Sequence, residues 1–236
     1  MDNLIKKIDR ESEMKMNPYF VSMREGNFQK DDFVETQIQF YFAVTFFSRP
    51  MSILASRVPT AELRLEILRN VWEEHGEGNL LLTHGNTFLD FLNQLAKIGL
   101  DDISKRALWP AVRAFNTSLI GACSIDEYLV GVGVMGMIER MFSSVSKWIG
   151  KEVVNHFWVP ASELVHYDVH TSLDIKHSDD FFNVLRPAWE QNIENRYYIE
   201  QGLRLGGFLF YSLYENLYKS RECRIFREIQ GPHIRF

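Results

Sequence analysis

The chain has 236 residues, of which 46% are hydrophobic and 14% aromatic, and its formal net charge is −5. This acidic balance and the absence of a basic tract argue against nucleic acid as a partner. The two cysteines are too few for a disulfide framework and predict a reducing, cytoplasmic location. The charged N-terminal residues predict no secretory signal. No membrane span is predicted, because the longest apolar stretch, at about 128–138, is too short to cross a bilayer.

The hydrophobic pattern predicts a chain that is almost entirely α-helical and forms one domain over residues 1–236. Proline, glycine and capping residues mark the expected helix ends, among them a capping box from Ser124 to Glu127 and a helix start at Pro160. The predicted helices span residues 2–14, 31–57, 60–97, 101–121, 124–149, 160–176 and 178–219, followed by a charged, loosely held tail at 220–236.

Three carboxylates and three imidazoles in these helices have the chemistry of metal ligands. They are Glu77, His84, Glu139, His170, Asp174 and His177. Hard oxygen and imidazole ligands suit iron, and six such ligands without cysteine disfavour a structural zinc site. The set predicts a site for two iron(II) ions, with manganese and zinc as alternative metals.

The spacing of these residues supports a common site. At about 100° per residue, His170, Asp174 and His177 fall on one stripe of one helix. Glu77 and His84 are seven residues apart and would share a face of an earlier helix. The remaining glutamate would come from a helix between them. For any single pair, an ordinary surface or core role is the more common explanation; for the complete set it is not.

Two further features accompany the ligand set. Gly76 and Gly78 flank Glu77 inside a helical pattern, although each glycine there costs about 1 kcal/mol relative to alanine. Sequences tolerate such local conflicts mostly at functional sites. His166 lies one turn before His170 and is interpreted as a hydrogen-bond partner of a ligand or as a solvated side chain.

Aromatic residues on the helix predicted over 31–57 are candidates for a substrate site. Phe46 and Phe47 would form an aromatic wall, and Arg49 would meet a substrate carboxylate. The alternative is that these rings are ordinary core.

The ligand pattern resembles that of the haem-oxygenase-like diiron oxidases and oxygenases, an all-α family with a seven-helix bundle. Members have a Glu and a His seven residues apart, a Glu on the next core helix, and a His, Asp, His set at offsets of four and three. The resemblance covers the whole chain in order. It is nearest to the branch with the chlamydial death-domain-associated protein that makes para-aminobenzoate, and to a small cyanobacterial nitrile synthase that acts on brominated tryptophan.

The resemblance implies two iron(II) ions as cofactor, dioxygen as cosubstrate, an external reductant and a homodimer. It implies a small amine or amino acid as substrate. The leading candidate is an aromatic amino acid such as (halogenated) tryptophan, converted to a nitrile by oxidative C–C cleavage; a para-aminobenzoate-type or N-oxygenating reaction is the alternative. The para-aminobenzoate branch consumes a tyrosine and a lysine of its own chain. Because Lys147 and Lys151 are in no clear register with that lysine, an external substrate is favoured.

Two other classes of function remain. A metal-free oxidase of the same fold would not need three inward-pointing carboxylates, since buried charges are costly. An interaction protein with a vestigial metal site would expose a large apolar patch.

Overall fold

The computed structural model describes residues 1–227, except for the side chains of residue 165 and residues 168–175. Within this part of the chain the structure is all-α, as predicted, and its only β-type pairing is an isolated bridge between Arg106 and Phe226. The helices are α1 (Asp2–Glu11), α2 (Pro18–Arg24), α3 (Lys30–Arg57), α4 (Ala61–Glu74), α5 (His84–Ala96), α6 (Leu100–Ser104), α7 (Pro110–Ser124), α8 (Tyr128–Asn155), α9 (Val165–Gln191) and α10 (Ile193–Lys219).

Helix α8 lies at the centre of the bundle, where it packs most extensively against α9 and α10. Small residues let α8 and α10 approach closely. A Cβ added to Gly133 would lie 3.0 Å from the backbone nitrogen of Leu203, and one added to Gly206 would lie 2.7 Å from the carbonyl oxygen of Val134. Glycines at the contact therefore fix the distance between these two helices.

Helix α8 is also long and apolar enough to span a membrane by length and composition, a property that the predicted 128–138 stretch did not reveal. However, 83% of its most apolar window is buried inside the protein. This burial is typical of the core helix of a helical bundle.

Several predicted helix boundaries are wrong. The predicted helix 60–97 is divided by two 3₁₀ turns, at Gly76–Gly78 and Leu80–Leu82. The predicted capping box does not form, because Ser124 belongs to the end of α7 and its hydroxyl donates to the carbonyl oxygen of Ile120. Glu127 is instead the N-cap of α8, where its side chain accepts from the backbone of Leu129.

The C-terminal helices also differ from the prediction. Pro160 precedes a short 3₁₀ turn, and α9 then continues past the predicted break at Ser178 to Gln191. The break lies at Asn192, whose side chain caps α10. The first residues of the predicted loose tail are attached to the bundle, since Arg224 pairs with Asp32 at 2.8 Å.

The close contact between α8 and α10 predicts a stability difference between two glycine substitutions. We expect Gly202→Ala to destabilise the protein by about 1–3 kcal/mol, because the new methyl group would collide with the backbone of Val130, whose Cα would lie 2.9 Å away. Gly121→Ala is the control, since nothing lies within 4 Å of its added Cβ. It should be neutral or stabilising in chemical denaturation, and equal destabilisation by both changes would contradict this packing.

Candidate metal centre

Four helices bring ligand-type side chains together in the core. Glu74, Glu139 and His177 each place one potential ligand atom within 4.8 Å of those of the other two, and all three side chains are buried. His84 joins them, with its Nδ1 2.7 Å from Oε1 of Glu74. Carboxylate oxygens and imidazole nitrogens converging at this distance are a donor set that fits iron.

The chain reversal between α4 and α5 creates half of this cluster. Glu74 is the last residue of α4 and His84 is the first residue of α5. Between them, Gly76, Glu77 and Gly78 have φ values of 64°, 53° and 87°. This left-handed turn ends α4 and returns the chain, so that the two side chains meet although they are ten residues apart.

The structure does not bring Glu77 into the cluster. Its side chain is exposed, and its positive φ places it in the turn rather than on a helix shared with His84. Glu74 instead occupies the place in the buried cluster that was expected for Glu77. The flanking glycines that drew attention to Glu77 build the turn, since a Cβ at Gly76 would lie 2.7 Å from the backbone carbon of Leu82. Placing the end of α4 before Gly76 would have pointed to Glu74.

The remaining predicted ligands divide into two groups. Glu139 and His177 lie in the cluster, and their role as metal ligands stays a prediction. The side chains of His170 and Asp174 lie outside the described residues, although the backbone of α9 is a continuous helix through both positions.

His166 is buried beside the cluster. It is 2% exposed, which excludes the solvated alternative. Its Nδ1 lies 3.0 Å from the hydroxyl of Thr87, and its ring meets that of Phe88 edge-on with centroids 4.8 Å apart. Thr87 in turn donates to the backbone carbonyl of His84, so this network connects α9 to the start of α5.

A cavity that opens in part to solvent adjoins the cluster. Among the side chains that the structure describes, its walls are apolar and largely aromatic apart from the metal-type side chains. They comprise Phe40, Ala43, Val44, Phe47, Phe115, Ile138, Phe142 and Phe210, together with Glu74, His84, Glu139 and His166. An apolar wall around a small polar group is the usual form of a small-molecule site.

The three predicted substrate residues are placed differently from one another. Phe47 lines the cavity. Phe46 is half-buried and is not part of the wall, and Arg49 is exposed, with its guanidinium 5.4 Å from the centre of the Phe46 ring. The structure therefore does not bring Arg49 to the place where a substrate would lie.

Helices α4 and α9 are also joined on the outer side of His177. Glu73 accepts hydrogen bonds from Lys176 and from Nε2 of His177. Burial raises the pKa of the Glu73 carboxyl, but these two hydrogen bonds outweigh it and hold the pKa below its usual value.

One turn away, Asp180 of α9 lies among residues of α4. It accepts a hydrogen bond from Asn70 at 3.2 Å, and Arg69 lies 3.8 Å away. Burial, and then the neighbouring carboxyl of Glu66, raise the pKa of Asp180 to about 6. A carboxyl whose pKa rises on folding stabilises the folded state at low pH, and this contribution is lost as the pH rises through about 6.

This shift predicts a pH-dependent effect of Asp180→Asn. At pH 7.5 the variant should be more stable than wild type by roughly 1 kcal/mol, because it removes a carboxylate that is costly to ionise beside Glu66. At pH 4 the advantage should disappear. Asp179→Asn changes an exposed neighbour and is the control in thermal unfolding at both pH values. A gain for Asp180→Asn that is independent of pH would contradict the argument.

Known proteins resemble this chain in sequence and in fold. Over 184 residues it is 22% identical to a 4-aminobenzoate synthase from Chlamydia pneumoniae, covering 76% of this chain and 80% of the relative. The structure is similar to a CADD-like protein of unknown function from Nostoc punctiforme, with a TM-score of 0.76, 12% identity, and 94% and 98% of the two chains covered.

Two further structures have the same architecture. A domain of unknown function with a heme oxygenase-like fold from Shewanella denitrificans has a TM-score of 0.75, 11% identity, and coverage of 93% and 90%. A TenA homolog from Pseudomonas syringae has a TM-score of 0.73, 13% identity, and coverage of 92% and 90%. These likenesses establish a haem-oxygenase-like fold.

A match to a family model shows the family of this chain. Residues 34–206, which include the four clustered side chains, match the model of a family described as iron-containing redox enzymes. The chain belongs to this family of iron-containing redox enzymes.

Proposed function

We propose that this protein is a non-haem diiron oxidase or oxygenase that uses dioxygen to oxidise a small aromatic substrate. The observation that supports the proposal most strongly is the buried convergence of Glu74, Glu139 and His177, with His84 alongside, in a member of an iron-containing redox family. The adjoining apolar cavity provides a place for the substrate next to these side chains.

Glu74, His84, Glu139 and His177 would hold the iron, together with His170 and Asp174 if these follow the pattern in the sequence. Two carboxylates and two imidazoles match the hard and borderline donors that iron(II) prefers. When bound, iron would supply electrons for the reduction of dioxygen.

The chain itself would position the reactants. The apolar wall excludes water and accepts an aromatic ring, and Phe47 contributes to it from α3. Thr87 restrains both His166 and the first turn of α5, which keeps the imidazoles of this region in place. These residues would bind and orient the substrate. They do not themselves determine which reaction takes place.

The wall supports an aromatic substrate more than it supports a charged one. Tryptophan or a halogenated tryptophan fits the aromatic character of the cavity, and conversion to a nitrile remains our leading proposal for an amino acid. However, the exposed position of Arg49 removes the expected partner for its carboxylate. An arene or indole without an amino-acid backbone therefore belongs in the same substrate class.

Production of 4-aminobenzoate is the second candidate, favoured by the name of the chlamydial relative. Lys147 and Lys151 are both exposed, and no lysine lines the cavity among the residues that the structure describes. This arrangement supports an external substrate over consumption of the protein's own lysine. An external reductant, a homodimer and a cytoplasmic location remain part of the proposal.

Iron binding distinguishes Glu74, which lies in the buried cluster, from Glu77, which is exposed. In an anaerobic titration we expect wild type to bind about two iron(II) ions per chain and Glu74→Gln to lose at least one, because it removes a carboxylate from the cluster. Glu77→Gln should bind as wild type does, since Glu77 is exposed.

Circular dichroism should show that both variants are folded. Loss of iron only in Glu77→Gln would restore the sequence-based assignment and overturn the one from the structure. A folded wild type that binds no iron would favour the metal-free oxidase or the interaction protein.

A second test concerns the cavity. With iron(II) bound, oxygen consumption should rise with one member of a panel of aromatic amino acids, indole and simple arenes. Phe47→Trp should reduce this consumption at least tenfold, because the larger ring fills the cavity. Phe46→Trp is the matched control, since Phe46 lies one residue away and outside the wall. Equal effects of the two changes would contradict substrate binding in this cavity.

A further inference from the structure

Glu73 contacts the edge of the His177 ring that points away from the ligand cluster. Its Oε2 lies 2.5 Å from Nε2 of His177, and its Oε1 accepts from Nζ of Lys176 at 2.6 Å. The imidazole is completely buried, whereas Lys176 is half exposed. A partly buried carboxylate from α4 therefore holds one edge of a histidine that α9 supplies.

The two nitrogens of His177 consequently have different surroundings. Nε2 faces Glu73, and Nδ1 faces the cluster, where it lies 3.9 Å from Oε2 of Glu139. A neutral imidazole has one N–H, and a carboxylate accepts but does not donate. The hydrogen bond to Glu73 therefore places the proton on Nε2 and leaves the lone pair of Nδ1 directed at the cluster.

We propose that Glu73 is a positioning residue, which fixes the tautomer and ring orientation of His177 so that Nδ1 is the nitrogen presented to the metal cluster. The proposal rests on the proposed function, in which His177 is a ligand. A carboxylate on the far nitrogen of a ligating histidine orients the ring and raises its basicity as a ligand. Here Lys176 holds that carboxylate in turn.

Adjacent glutamates thus have different roles. Glu73 and Glu74 point about 100° apart around α4, as neighbours on a helix do. Glu74 enters the cluster, and Glu73 passes to the outer edge of His177. The end of α4 therefore supplies both a candidate ligand and the support for a second one.

The first test uses metal-free protein. In ¹⁵N-histidine NMR, with the signals of His177 assigned by their loss in His177→Gln, we expect the Nε2–H tautomer in wild type. Glu73→Ala should give a mixture of tautomers, and Glu77→Ala, which changes an exposed glutamate nearby, should leave the spectrum of His177 unchanged. An Nδ1–H tautomer in wild type would overturn the proposal.

The second test measures iron(II) affinity. Glu73→Ala should weaken binding about 10–100-fold. Glu73→Gln should recover part of the loss, because its amide oxygen still accepts from Nε2–H, and Glu77→Ala should bind as wild type does. Unchanged affinity in Glu73→Ala would overturn the role of Glu73. If Glu73→Ala does not fold, Glu73→Gln decides, since a purely packing role predicts wild-type affinity for this isosteric change.

The two measurements separate this inference from the proposed function. If wild type binds no iron(II), the proposed function fails. The tautomer measurement needs no metal and still shows whether Glu73 controls His177.

Discussion

Two carboxylates, those of Glu74 and Glu139, lie in the core of this bundle, and the rest of the structure is arranged around them. Carboxylates are stable in such a place only when donors or a cation compensate for lost hydration. Imidazoles from α5 and α9 are directed at the same point, and α8 supplies one of the two carboxylates from the centre of the bundle. The glycine contacts between α8 and α10 keep this centre compact, so that four helices can contribute to one small volume.

The sequence predicted the all-α fold because apolar periodicity persists along nearly the whole chain. It also placed Glu139 and His177 in the site, since their chemistry and helical context are local properties. The predicted continuous helix through Glu77 and His84 is wrong, because the turn at Gly76–Gly78 interrupts it and helical spacing applies only within one helix. The meeting of Glu74 with His84 depends on how the chain reverses, which no periodicity describes.

The structure does not place Arg49 at the cavity, where the sequence pattern put it, for a related reason. A run of aromatic residues on a helix does not reveal which face meets a cavity, and α3 is so extensively buried in its first half that the pattern has little amphipathic contrast. Phe47 faces the cavity, whereas Arg49, two residues later, lies at the surface against Phe46. The same limitation applies to Glu73, whose contact with His177 joins residues 104 positions apart.

The cavity and the cluster together indicate which chemistry the protein could carry out. Apolar walls lie next to oxygen and nitrogen donors, and under the proposed function they hold an aromatic substrate beside iron, the metal of the family to which the chain belongs. The fold alone does not choose a reaction, since related folds host different chemistries. Substrate selection must therefore come from the shape of the wall and from the groups that the substrate presents to the metal.

Anomalous diffraction at the iron edge, from crystals grown anaerobically with iron(II), would show whether the four buried side chains hold the metal. We expect two iron peaks beside Glu74, His84, Glu139 and His177, at the edge of the cavity lined by Phe47. Iron bound at the exposed Glu77, or no iron near the four buried side chains, would contradict this expectation.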